Sequence, residues 1–252
     1  MRHRIFILPL LAALISSCVS TGGGDGLPTS VKMPPLATMA SGQIEIGNKL
    51  VPLPEGQFQL AGTGIQANQK SGHNLTAMLL QTRDGRVVKA VEIFSNRPAN
   101  TKQGPPTPGW VTHRSCNRDD IHFVELIQNE RLGDQDCWWV NHWRMVRTGS
   151  RATEHWKETR KYLSDNKITA PIEMIGVSYR VANKSDFLTV NYFFNPEDDG
   201  FPVATDDNWA VTTWSTSKWH PDQMDGETKK QYIEGLISWG RSMHERVLNT
   251  VR

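Results

Sequence analysis

Residues 76–94 read Thr-Ala-Met-Leu-Leu-Gln-Thr-Arg-Asp-Gly-Arg-Val-Val-Lys-Ala-Val-Glu-Ile-Phe. Thr76 to Gln81 and Val87 to Phe94 are β-favouring runs, with Arg83-Asp84-Gly85-Arg86 between them. Asp-Gly in that position predicts a two-residue hairpin turn, because both central residues need φ > 0. Upstream, Gln43 to Ile46, Leu50 to Leu53 and Gln57 to Leu60 alternate apolar and polar residues, with Gly47-Asn48 and Pro54-Glu55-Gly56 as breaks. These read as short strands joined by tight turns. Downstream, a Pro/Gly-rich loop covers Asn96 to Gly109. Ile121 to Ile127 and Trp138 to Met145 follow as strands, then a second hairpin of Ile175 to Val181 and Phe187 to Phe194, and a strand over Trp209 to Trp214.

Two segments carry helical periodicity. Arg151 to Leu163 places Ala152, Trp156 and Leu163 on one face, and Glu227 to Leu248 does so with Tyr232, Ile233, Leu236, Ile237, Met243 and Val247. Asp225 is the expected cap of the second. Strands dominate and helices come late, which predicts an α+β fold: an antiparallel sheet covered on one face by two late helices. No repeat and no linker-like break follows residue 41, so residues 42–252 read as one domain. In element order this part resembles the PsbP-like sandwiches, a likeness that implies a fold and no activity.

The N-terminus is an address. Met1-Arg2-His3-Arg4 is a basic start, Ile5 to Ile15 is an apolar run interrupted by Pro9, and Ser16-Ser17 precede Cys18. Ile15-Ser16-Ser17-Cys18 resembles the bacterial lipobox. That resemblance implies a signal peptide over residues 1–17, a diacylglyceryl group on the Cys18 thiol, cleavage before Cys18 and acylation of the new amine. Two or more acyl chains give stable attachment where one does not. Val19, where an Asp would signal inner-membrane retention in that family, implies an outer-membrane lipoprotein facing the periplasm. Residues 18–41, rich in Gly, Ser and Pro, read as the lipidated end of a flexible tether. About 20 such residues reach roughly 25 Å.

Composition excludes several classes. With 252 residues, 38% hydrophobic, the chain can build a core. The run at Ile5 to Ile15 is too short to span a bilayer, and no later run approaches ~20 apolar residues, so a polytopic membrane protein is excluded. Of 28 basic residues, Arg2 and Arg4 leave with the signal peptide, which leaves 26 against 26 acidic ones. A neutral mature chain gives nucleic acid no electrostatic footprint.

Cys116 and Cys137 remain once Cys18 is lipidated. An even count in an exported protein reads as a disulfide, closing a loop of about 20 residues for a stabilisation of about 3 kcal/mol. The competing reading is a metal site from Cys116, His122, Cys137 and His142, whose types suit zinc but whose spacing matches no zinc motif.

Catalytic motifs are scarce. There is no phosphate-binding loop, no H-E-x-x-H and no C-x-x-C. Gly176-Val177-Ser178-Tyr179-Arg180 starts like a nucleophile elbow but lacks the second Gly and falls within a strand. Asn195 to Gly200 opens like a calcium loop but lacks the flanking helices, and reads as an acidic turn. No metal and no cofactor is expected. The densest polar region runs from Arg114 to His142, where Asp119, Asp120, His122 and His142 are candidate ligand-binding residues. Nine Trp is roughly two to three times ordinary usage. Trp138 and Trp139 must face opposite sides of a strand, so at least one is a candidate exposed platform for a sugar ring.

Two functional readings follow. The first is a lipid-anchored, non-catalytic interaction or accessory module of the envelope, partnered by the membrane and an envelope protein. The second is a glycan- or peptidoglycan-binding protein, or a glycan-active enzyme, using Trp and carboxylates.

Overall fold

The computed structural model describes residues 31, 33–68, 72–97, 114–129, 134–145, 153–183, 186–205, 213–215 and 226–251. In chain order the strands are β1 (Met39–Ala40), β2 (Gln43–Ile46), β3 (Lys49–Pro52), β4 (Phe58–Asn68), β5 (Gly72–Arg83), β6 (Arg86–Arg97), β7 (Phe123–Asn129), β8 (Gln135–Arg144), β9 (Glu173–Ala182) and β10 (Phe187–Phe194). The helices are α1 (Glu154–Asp165), between β8 and β9, and α2 (Gly226–Leu248), after β10.

An eight-stranded antiparallel sheet runs in the order β1-β4-β5-β6-β10-β9-β8-β7, and β2 pairs with β3 as a separate hairpin. Beyond β1 at one edge, the sheet consists of two antiparallel runs, β4-β5-β6 and β7-β8-β9-β10, joined where β6 pairs with β10. Asp84 and Gly85 turn the first hairpin with φ of 50° and 72°, the left-handed pair that the Asp-Gly signal predicts.

Strand alternation gives the sheet two different faces. One cross-strand row holds Met78, Glu92, Asn191, Ser178 and Trp139. The adjacent row, on the opposite face, holds Leu79, Val91, Tyr192, Val177 and Val140. Both rows are buried. The first is polar at its centre and the second is almost wholly apolar.

The helices take opposite faces, which corrects the one-face layering expected from the sequence. Trp156 of α1 packs among Ala61, Met78, Ala90 and Phe193 on the Glu92 face. Gly62 makes that approach possible, since a Cβ there would collide with the His155 carbonyl oxygen. On the other face Tyr179 donates to the Gly240 carbonyl of α2 at 2.7 Å, and Tyr192 donates to Pro52 of the β2–β3 hairpin at 2.8 Å. The physical reason lies in the central strands: β8, β9 and β10 are buried almost without interruption, so both of their faces need cover.

Some boundaries also move. Residues 32–252 form one compact unit. Met39 and Ala40, inside the expected tether, pair with Gln59 and Phe58. Helix α1 starts at Glu154, and Ala152 lies outside the described residues. So do 98–109 of the expected loop, 209–212 of the expected last strand, and Asp225. Thr213 and Trp214 form a turn.

Cys116 and Cys137 form a disulfide with Cα atoms 6.0 Å apart, the pairing expected from the even cysteine count. It pins the 3₁₀ turn Arg114–Asn117 to β8. Pro196–Asp199 is a second 3₁₀ turn, where Asn195 Oδ1 accepts from the Glu197 amide at 3.1 Å. Glu197 and Asp198 pair with Arg86 and Arg83, so the calcium-like spelling is a capped turn with ion-paired carboxylates.

Candidate functional site

The residues singled out in the sequence do not assemble into one site. Trp138 and Trp139 do face opposite sides of the sheet, but neither is a platform: they are 1% and 0% exposed. Trp138 lies against Phe123 and Tyr179, with ring centroids 4.6 and 5.9 Å away, and donates to Glu125 at 3.1 Å. Trp139 packs with Cys116, Ile121, Cys137 and Val124. The exposed-Trp reading is therefore corrected. The pattern of one strand cannot reveal that α2 covers one ring and the disulfide cluster covers the other.

His122 and His142 do come together, with ring centroids 6.0 Å apart. His122 Nε2 also bonds the Trp214 carbonyl oxygen at 2.9 Å. Burial pulls the His122 pKa down to about 4, and His142 pushes the same way, so the ring is neutral at pH 7. Asp119 and Asp120 are exposed, and Asp120 is held by Arg118 at 2.5 and 2.7 Å, which lowers its pKa. Ser178, from the elbow-like motif, lies within β9 and is buried. Cys18 lies outside the described residues.

A different site emerges on the Glu92 face, where a cleft of about 410 Å³ opens beside α1. Phe94, Trp143 and Phe187 give it apolar wall, and Glu92, Arg180 and Asn191 give it charge and hydrogen-bonding capacity. Its volume is in the usual range for small-molecule sites. Strand alternation explains the assembly: Glu92 and Phe94 of β6, Thr189 and Asn191 of β10, and Arg180 of β9 all point to this side.

Glu92 is fully buried and anchors the base of the cleft. Its Oε1 accepts from Trp156 Nε1 at 2.6 Å and meets His155 Nε2 at 3.1 Å, and its Oε2 accepts from Asn191 Nδ2 at 2.9 Å. A buried carboxylate is tolerable only with such donors. Arg180, at the other side, differs. Its Nε donates to Gln135 at 3.3 Å, one terminal nitrogen donates to Thr189 at 3.0 Å, and its guanidinium lies 4.9 Å from the Phe187 ring centroid. No carboxylate pairs with it among the described residues. Burial draws its pKa down to about 10.

Sequence reasoning missed Glu92, Arg180 and His155. The one available signal was a charged residue inside each of two strongly apolar strands, Glu92 in Ala-Val-Glu-Ile-Phe and Arg180 in Val-Ser-Tyr-Arg-Val. No known protein family, curated protein or solved structure matches the chain.

Proposed function

We propose that this chain is a lipid-anchored accessory protein of the bacterial envelope, whose folded domain binds a small ligand without catalysis in the cleft on the Glu92 face. The observation that carries the reading is the cleft itself: about 410 Å³, walled by aromatic rings and floored by a fully hydrogen-bonded carboxylate. A carboxylate committed to three donors is a poor proton shuttle and a good rigid wall. The lipobox resemblance at Ile15-Ser16-Ser17-Cys18 supports an anchor, with the Gly- and Pro-rich residues after Cys18 standing the domain off the lipid surface. No helix among the described residues is long and apolar enough to cross a membrane. Burial of Trp138 and Trp139 removes those two rings as a platform for the glycan reading.

The test uses the full-length lipoprotein, extracted from its own envelope in mild detergent and denatured to release bound small molecules for mass spectrometry. Asn74→Trp, a half-buried rim position lining the cleft, is the blocking variant. The expected result is a small molecule near stoichiometry with the wild type and depleted at least tenfold from the variant. A wild type that carries none, or a variant that carries as much, overturns the cleft reading.

A further inference from the structure

We infer that Arg180 is the anion-binding residue of the cleft and that its ligand is a small molecule bearing a carboxylate or phosphate group, with an apolar part lying against Phe94 and Phe187. The inference rests on the cleft reading and adds the ligand's chemical class.

Three observations converge. Arg180 lines the cleft and is half-buried, yet it has no acidic partner among the described residues. The fully buried charge of the cleft, Glu92, is compensated by three donors around it. That carboxylate does not serve Arg180. The two residues are two strands and one pleat repeat apart, roughly 12 Å between backbones.

The guanidinium is also held in place. Gln135, Thr189 and the Phe187 ring fix its plane. Of its five N–H donors, the bonds to Gln135 and Thr189 engage two and leave three. A planar, oriented fork with free donors in a low-dielectric cleft matches the two oxygens of a carboxylate or two of a phosphate. A bound oxyanion would supply the countercharge that burial otherwise denies this side chain. Burial lowers the Arg180 pKa, which agrees with a cation lacking its counterion.

The test measures the melting temperature of the full-length lipoprotein in detergent at constant ionic strength, with chloride replaced stepwise by acetate or by phosphate. Acetamide is the neutral isostere of acetate. Wild type is expected to rise by about 2–4 °C once the anion exceeds its Kd several-fold. Arg180→Gln should lose that rise, and Arg180→Lys, which keeps the charge but not the fork, should keep only part of it. The larger response, to acetate or to phosphate, identifies the headgroup. An equal response to acetamide, no response to either anion, or an unchanged rise in Arg180→Gln overturns the inference. The wild-type comparison of acetate with acetamide stands even if a variant folds poorly. A neutral molecule co-extracted in the Asn74→Trp experiment would leave the cleft reading intact while this inference fails.

Discussion

His122 sits where a proton is costly. Burial is the main cause of its low pKa, with the neighbouring His142 adding to it and the bond to the Trp214 carbonyl opposing it. The unfolded chain keeps the ordinary value near 6.5. Between about pH 6.5 and the folded value of about 4, the unfolded state takes up a proton that the folded state refuses. Stability present above pH 6.5 is therefore lost as the pH falls through that window, by about 2–4 kcal/mol. Urea midpoints should drop further between pH 7 and pH 4.5 for the wild type than for His122→Gln. Parallel losses in the two proteins would remove His122 as the cause. The sequence does mark this region as polar and pairs the two histidines, since both lie on or beside neighbouring strands. It cannot show their burial, which depends on the turn at Trp214 ninety-two positions away.

Helix α1 docks through a polar contact as much as an apolar one. His155 and Trp156 reach Glu92 from 63 and 64 positions along the chain. Glu92→Ala would leave three buried donors without their acceptor, each costing about 1–3 kcal/mol. A loss of about 3 kcal/mol or more in urea unfolding is expected, with amide exchange across Glu154–Asp165 accelerating beyond that of α2. Uniform acceleration in both helices would mean that Glu92 supports the whole fold and not α1 docking. The same contact explains what was legible. Periodicity located both hairpins and both helices, because each is a local pattern of apolar residues. It does not single out Glu92, because alternation alone cannot tell water from a helix supplied by a distant segment.

At the scale of the whole molecule, the proposed function divides the labour between an anchor, which would fix where the domain works, and the cleft, which would fix what it meets. Cys18→Ser should move the protein from the membrane fraction to the soluble fraction of the envelope. Retention in the membrane at high salt would end the lipid-anchor reading. The cleft was illegible in the sequence because its walls come from β4, β5, β6, β8, β9 and β10, and no single stretch holds more than a few of its residues. The seam that builds it, β6 against β10, pairs Ser95 with Leu188 and Lys89 with Phe194. Those partners are roughly 100 residues apart, so the loop between them must close before the contact is rewarded. The β4-β5-β6 meander can zip from its own short turns, and β8 meets β9 across the longer connection that carries α1, but the edge of β6 stays bare until β10 has been made and delivered. On the proposed export route, the chain would cross its membrane unfolded and meet that interval on the far side. Closing that seam is therefore the step expected to be slow in its folding, and during it an unpaired strand edge would be open to other chains.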